Sequence, residues 1–316
     1  IAERALFHKH HLHQNTRLEN EILAMRKTPE VRDDFALRGR CEVYRADLKS
    51  MASANRLHQG INLRGHQVWG TYEHFQDLLV IRGQEADEDL WDIVEFFSKN
   101  SDPNIFKERH ALSQSEFRKL IQPLIRTGHI VQDFRGGFRT VAPRADVDPV
   151  ELRKEYLRKM VENFPVITLK QLMRLSGTPF KPEELKSVLN GFEEDGTLIK
   201  GFLIEDLHEV CWGRKELLEE AKNITSIRDF VLPPSDPIAP YFADIMKEKF
   251  GFGSAYLVFK NAEPVAAFKA NTRNKIIEVK DYEGSEKGWR IVKEFAWEHQ
   301  MPLETELRIG GKKMTK

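Results

Sequence analysis

The chain has 316 residues, of which 41% are hydrophobic and 31% charged, and its 49 basic residues balance its 49 acidic ones. These values are typical of a soluble globular protein of two or three domains, and no apolar run approaches the roughly 20 residues of a membrane-spanning helix. Zero net charge argues against a protein wrapped wholly in nucleic acid, so the local distribution of charge matters more than its sum.

The chemistry-bearing residues give no sign of a cofactor or a metal. Cys41 and Cys211 lie far apart, which fits a reducing cytoplasmic location and argues against both a disulfide framework and a zinc site. We interpret the histidine run at positions 8, 10, 11 and 13 as solvated helix surface, because carboxylates are absent nearby. No nucleotide-binding Gly-x-x-x-x-Gly-Lys-Ser/Thr motif occurs, and no nucleophile with a recognisable partner pattern.

Residues 1–85 are predicted to be mostly helical, most clearly from Asn15 to Lys27 and from Asp34 to Leu57. The segment from Gly60 to Thr71 contains three glycines that break any period, and it is predicted to be a loop. Its residues Arg64, His66, Gln67 and Trp69 suit stacking on or hydrogen bonding to a base, although Trp69 as a core residue is an equal alternative.

Residues 86–145 are predicted to form a winged helix, a helix-turn-helix with a β-hairpin attached. Helices are expected near 87–98, 105–109 and 113–128, the last with a Ser113–Glu116 capping box and Gly128 as its terminator. Pro123 is expected to bend or shorten that helix. The hairpin, or wing, follows as two strands about Gly136-Gly137.

Residues 146–224 repeat this pattern. Glu184 to Gly196 has the length of Glu116 to Gly128, at an offset of 184 − 116 = 68 residues, with matching apolar positions. Helices are expected near 149–163, 168–175 and 181–196, with strands after the last glycine and near Trp212. Self-similarity at a fixed offset predicts two tandem winged helices.

Residues 225–316 are predicted to form a small β-rich domain, giving an α+β protein overall. The proline-rich segment from Val231 to Pro240 cannot be regular structure, and Asp236 within it is expected to cap a helix near Tyr241 rather than to act in catalysis. Strands are expected at 255–259, 265–269 and 276–280, and a closing helix at 286–299, after a helix at 241–250.

The first winged helix carries a local surplus of cations, which predicts a DNA interface. A solvated basic face on an architectural module is the alternative. The predicted nucleic-acid-binding residues are Lys107, Arg109, Arg118, Lys119, Arg126, Arg135, Arg139, Arg144, Arg64 and Trp69. The second copy is acidic and is expected to pack on protein; its acidic residues are Glu183, Glu184, Glu193, Glu194, Asp195, Glu205, Asp206 and Glu209.

The tandem winged helices, the stretch Val210-Cys-Trp-Gly-Arg-Lys and the Leu232-Pro-Pro-Ser-Asp-Pro-Ile motif resemble the winged-helix DNA glycosylases of the AlkZ/YcaQ type. They also resemble the C-terminal region of Lhr-type superfamily 2 helicases, over about residues 85–282. The resemblance implies DNA binding and DNA repair. The glycosylases carry a Gln-x-Gln or Gln-x-Asp pair that positions the attacking water, and this chain has none: Gln59, Gln67, Gln76 and Gln84 stand alone.

The sequence therefore favours a DNA-binding module that grips duplex or forked DNA through the first winged helix. Because the chain starts at Ile1 without Met, we expect a helicase-attached or accessory region whose motor lies outside it. The alternatives are a glycosylase acting on alkylated or crosslinked bases, whose catalytic residues the sequence leaves unknown, and a winged-helix scaffold that binds only protein.

Overall fold

The structure is a computed structural model that describes residues 32, 57–203, 208–224, 226–273, 276–298, 301–305, 308–309 and 312–313. The predicted helix from Asn15 to Lys27 and the histidine run lie outside the described residues, as does all but the end of the helix predicted from Asp34 to Leu57. Within the described ranges, no helix is long and apolar enough to cross a membrane.

The segment predicted as a glycine-rich loop is a β-hairpin, so that prediction is wrong. Strands β1 (His58–Ile61) and β2 (Gln67–Gly70) pair antiparallel, and helix α1 (Tyr72–Arg82) follows. The ring of Phe75 lies against both Gly60 and Gly70, and a Cβ added at Gly60 would lie 2.5 Å from Phe75 Cε1. Gly60 and Gly70 therefore serve close packing within strands, whereas Gly65, with a φ of 76°, lies in the turn between them.

The first winged helix has the predicted order of elements. A short 3-10 turn (Glu88–Leu90) leads into α2 (Trp91–Lys99), α3 (Pro103–Arg109), α4 (Gln114–Thr127), β3 (Ile130–Gln132) and β4 (Phe138–Thr140). The Ser113–Glu116 capping box is present, and Gly128 ends α4 with a φ of 87°. Pro123 does not shorten α4, which continues to Thr127.

The second winged helix repeats the arrangement. Its elements are α5 (Pro149–Glu162), β5 (Val166–Thr168), α6 (Leu169–Ser176), α7 (Pro182–Glu194), β6 (Ile199–Gly201) and β7 (Cys211–Gly213), followed by α8 (Lys215–Lys222). The starts of α7 and α4 differ by 182 − 114 = 68 residues, as the repeat predicts. The strand order is β5-β7-β6.

The C-terminal part is built on a five-stranded sheet of order β12-β11-β10-β9-β8. Its elements are β8 (Phe230–Leu232), a 3-10 turn (Ala239–Phe242), α9 (Ala243–Phe250), β9 (Tyr256–Lys260), β10 (Glu263–Arg273), β11 (Ile276–Gly284), α10 (Glu286–Glu298) and β12 (Leu303–Thr305). Two further short strands, β13 (Arg308–Ile309) and β14 (Lys312–Lys313), pair with each other.

The proline-rich junction is more ordered than the sequence predicts. Val231 and Leu232 belong to β8, which pairs with β9, so the prediction of irregular structure is wrong there. Asp236 is buried, and its Oδ1 accepts a hydrogen bond of 3.0 Å from the Ile238 N–H, immediately before the 3-10 turn. The carboxylate thus organises the start of this turn, close to the predicted capping role.

The first hairpin and the wing form one sheet, of order β2-β1-β3-β4. One face contributes Ile130 and Phe138 to a core with α2, α3 and α4. The other face contributes Val68 and Val131 to a larger core shared with the second winged helix and the C-terminal sheet. The wing therefore rises from a sheet that is covered on both faces.

Candidate nucleic-acid interface

Helix α4 presents a cationic stripe to solvent. Phe117, Ile121 and Leu124 are buried on one side of the helix. Exposed residues at helical spacing line the other side: Ser115, Arg118, Lys119, Gln122 and Arg126. Within the described residues, none of the three cations in this stripe forms an ion pair, so their charge is available to a ligand.

The wing tip is a tight turn that holds Arg135 outward. The Asp133 N–H donates to the Gly137 carbonyl at 2.8 Å, and the Gly137 N–H donates to Asp133 Oδ1 at 2.8 Å. Gly136 adopts a φ of 86°, which a glycine accommodates without strain. Arg135 is exposed and, like the stripe on α4, makes no ion pair within the described part of the chain.

The wing and α4 lie close together at one end of the first winged helix. The ring centroids of Phe117, in the first turns of α4, and Phe138, at the wing base, are 5.8 Å apart. The Phe138 N–H also donates to the Ser101 carbonyl at 2.9 Å, which ties the wing to the loop between α2 and α3. Arg118, Lys119 and Arg135 therefore lie toward the same end, and Arg126 lies toward the other.

Arg139 is held on the opposite face of the wing. Its guanidinium carbon lies 3.9 Å from the ring centroid of Tyr72, a cation–π contact. The Tyr72 hydroxyl donates to the Thr140 carbonyl at 2.9 Å and accepts from the Ala142 N–H at 3.3 Å, so Tyr72 braces β4. The neighbouring His58 is buried. Its burial is the main cause of the lowered pKa of its imidazole, and the positive charge of Arg139 is the second.

Two further predicted residues, Lys107 and Arg144, have local partners, and a third, Arg109, lies beside acidic residues. Lys107 Nζ donates to Gln114 Oε1 at 2.7 Å. Arg144 lies 3.2 Å from Asp77 and 3.8 Å from Asp146, so its charge is already compensated. Arg109 lines a shallow groove of about 460 Å³ between α2 and α3, and that groove also contains acidic residues: Asp92 and Glu95.

Arg64 and Trp69 do not lie together in a loop as predicted. Arg64 lies in the turn between β1 and β2, at the end of the sheet remote from the wing. Its N–H donates to Asn62 Oδ1 at 3.1 Å. The same turn packs on the second winged helix, where the Leu63 carbonyl accepts from the Thr178 N–H at 3.3 Å. Arg64 is therefore separate from the cationic wing.

Trp69 belongs to a row of side chains that the sequence did not reveal. Strand register places Trp69 opposite Gln59, and Gln59 opposite Gln132 on β3. Residues directly opposite in antiparallel strands project to the same face, so an indole and two carboxamides line up beside the wing. All three are half-buried. Gln59 and Gln132 are 132 − 59 = 73 residues apart, too far for a motif search to pair them.

The second winged helix lacks the cationic stripe. The positions 68 residues after Arg118, Lys119 and Arg126 hold Lys186, Ser187 and Glu194. Glu184 is bound by Arg153 at 3.0 and 2.8 Å, and Glu193 by Lys200 at 3.0 Å. Glu205 and Asp206 lie outside the described residues.

No family model and no curated protein matches the chain. Among solved structures, the Streptomyces sahachiroi DNA glycosylase AlkZ is similar, with a TM-score of 0.68 and 10% sequence identity over 96% of this chain and 98% of that one. At this identity the likeness establishes the fold. The α+β class with tandem winged helices is confirmed, and the likeness extends beyond the span of the sequence resemblance.

Proposed function

We propose that the chain binds duplex DNA through α4 and the wing of the first winged helix, as a protein of DNA repair. The observation that carries the proposal is a set of exposed cations at these elements that form no ion pair with any described residue: Arg118, Lys119, Arg126 and Arg135. A polyanion gains most from cations that have no competing partner, because binding then releases its own counterions without breaking a protein ion pair.

The dimensions of the stripe suit a DNA groove. An α-helix with its side chains is about 10–12 Å in diameter and fits the major groove of B-DNA, which is about 12 Å wide, and Arg118 and Arg126 are about 12 Å apart along the helix. Arginine can hold a phosphate through two parallel hydrogen bonds, and the braced tip at Arg135 can lie along the backbone beside the helix. The role in repair rests on the fold shared with AlkZ, which is a DNA glycosylase.

The test is charge reversal with a matched control in the second repeat. Binding of fluorescein-labelled duplex is measured by anisotropy at several salt concentrations for wild type, Arg118→Glu, Arg135→Glu and Lys186→Glu. We expect each arginine variant to lose about tenfold in affinity and its salt slope to fall by about one. Lys186→Glu, at the position equivalent to Arg118, should bind like wild type. Equal affinities of all four proteins would contradict the proposal.

Base excision is a second candidate function, and the row of Trp69, Gln59 and Gln132 favours it. An indole can stack on a base, and a carboxamide can hold a water or read a base edge. The test is release of free base from alkylated duplex, with Gln59→Ala as the variant and the exposed Gln84→Ala as its control. We expect wild type and Gln84→Ala to release free base and Gln59→Ala to release none. No release by wild type would exclude excision and leave the DNA-binding proposal intact.

Attachment to an Lhr-type helicase, a preference for forks and a purely protein-binding scaffold remain predictions from the sequence. Binding to forked and plain duplexes at low salt distinguishes the fork preference from the protein-binding scaffold. Tighter binding of the fork supports the unwinding role, whereas no binding of either DNA supports the scaffold. Co-purification with a superfamily 2 motor protein tests the attachment to a helicase.

A further inference from the structure

The second wing exposes large apolar side chains. Phe202, directly after β6, is 72% exposed, and Ile199 on β6 and Val210 before β7 are each 41% exposed. Gly201 and Cys211 form the last registered pair of the wing, so Phe202 and Val210 follow as opposite neighbours. Phe202 and Val210 project to the face of Lys200 and Trp212, whereas Ile199 projects to the other face. Two large exposed apolar side chains beside each other form a patch of the kind that marks interaction surfaces. We call Phe202 and Val210 the wing-2 surface.

The edge of this wing is also open. In the sheet order β5-β7-β6, β6 is a terminal strand within the described part of the chain, and Ile199 and Lys200 are exposed on it. A terminal strand keeps main-chain N–H and C=O groups that can pair with an added strand. A partner with an extended backbone can therefore gain both hydrogen bonds and apolar contacts here.

Three exposed acidic residues flank the wing-2 surface, with Arg158 acting on Asp195 and Arg174 interacting with Glu209. Glu194 and Asp195, which precede β6, and Glu209, which precedes Val210, are all exposed. The nearby Lys200 is paired with Glu193 at 3.0 Å, so its charge is compensated. The corresponding elements of the first winged helix are cationic. One fold position therefore presents opposite chemistry in the two repeats, and phosphate is repelled from the second.

We propose that the wing-2 surface binds an extended, basic protein segment that carries large apolar side chains. Cations of the segment face Glu194, Asp195 and Glu209, its apolar side chains cover Phe202 and Val210, and its main chain pairs with β6. Burial of an aromatic side chain as exposed as Phe202 supplies the anchor, and the acidic flanks select the partner's charge.

The probe is a fluorescein-labelled peptide of about ten residues in which lysine alternates with valine or phenylalanine, and its acidic counterpart carries glutamate in place of lysine. Anisotropy is measured with the full chain, with Phe202→Ser and Glu209→Lys, and with Trp297→Ser, which removes a 78% exposed aromatic residue from α10. We expect binding of the lysine peptide, about tenfold weaker in Phe202→Ser and Glu209→Lys and unchanged in Trp297→Ser.

Three outcomes would overturn the inference: no binding of the lysine peptide to wild type, equal binding of the glutamate peptide, or an unchanged affinity in Phe202→Ser. A peptide with alternate amides methylated should also bind more weakly, and full retention of its affinity would remove the pairing with β6. Arg135→Glu should leave peptide affinity unchanged, which separates this test from that of DNA binding.

Discussion

At the scale of single residues, His58 shows how burial controls a charge beside the wing. The side chain is 5% exposed, and its Nδ1 makes no hydrogen bond with any residue that the structure describes. Burial is the largest cause of its lowered pKa and Arg139 the second, while Asp133 and Glu73 act in the opposite direction. The pKa of His129 is lowered for similar reasons, by burial and then by Arg82. Both imidazoles therefore favour the neutral form in the folded chain.

These shifts make stability depend on pH. As pH falls, the unfolded chain takes up protons at the ordinary histidine pKa of 6.5, before the folded chain does. The free energy of unfolding therefore decreases as pH falls through that value. We expect His58→Gln to reduce this loss between about pH 7 and 5 relative to wild type. Urea unfolding at several pH values measures this loss of stability, and His66→Gln, at an exposed position, is the control. Parallel pH profiles for wild type and His58→Gln would contradict the assignment.

At the scale of elements, Arg153 on α5 fastens several segments at one point. Its guanidinium donates to the Ile81 and Pro179 carbonyls, each at 2.7 Å, and to both carboxylate oxygens of Glu184. Its carbon lies 4.5 Å from the ring centroid of Phe180. The group thus joins α1, α5, α7 and the loop before α7, and its five donors suit this arrangement better than a lysine would.

We expect Arg153→Leu to lower the free energy of unfolding by about 3 kcal/mol, because it leaves two carbonyls and a carboxylate without their donor. Chemical denaturation measures the change. The neighbouring Lys154→Leu is the control. Lys154 is exposed and pairs with the exposed Glu151, so its replacement should leave stability as in wild type. A similar small effect of both substitutions would show that Arg153 does not fasten these elements.

The elements also show which features a sequence can predict. Helix α4 was predictable because its signals are local: the Ser113–Glu116 box, the apolar period and Gly128. Strands β1, β2 and β8 were not, because remote partners define them, as Phe75 does for Gly60. The exposed Arg118 and Arg135 followed from periodicity and turn position. The pairing of Arg144 with Asp77, 67 residues away, and the alignment of Gln59 with Gln132 depend on the tertiary fold.

At the scale of the whole molecule, an ionic contact joins the second winged helix to the C-terminal part. Arg174 on α6 binds both carboxylate oxygens of Asp244 on α9, at 2.8 and 2.7 Å, and Lys170 lies 3.1 Å from the same group. The hydrogen bond from Arg174 is the largest cause of the lowered pKa of Asp244. The Asp244 carboxylate therefore contributes stability above its ordinary pKa of 3.8, and that contribution is lost as pH falls through the lowered value.

We expect Asp244→Asn to be less stable than wild type at neutral pH and to lose less stability on acidification below about pH 4, because the variant has no carboxylate to protonate. Thermal unfolding followed across this range measures both effects. Asp281→Asn, at an exposed position on β11, serves as the control. If Asp244→Asn keeps the acid sensitivity of wild type, the contact between α6 and α9 does not contribute to it.

The pairing of β1 with β3 means that the first winged helix is not an autonomous unit. A chain cut before residue 86 would lose β1, which pairs with β3, and also β2 and α1, whose apolar side chains share a core with Val131. The cut would expose both a main-chain edge of β3 and apolar surface. Transplanting the cationic motif onto another protein would therefore require the preceding hairpin and α1 as well. Insertion or loss of one residue in β1 would turn Gln59 to the other face of the sheet and change the pairing of β1 with β3, the first strand of the wing.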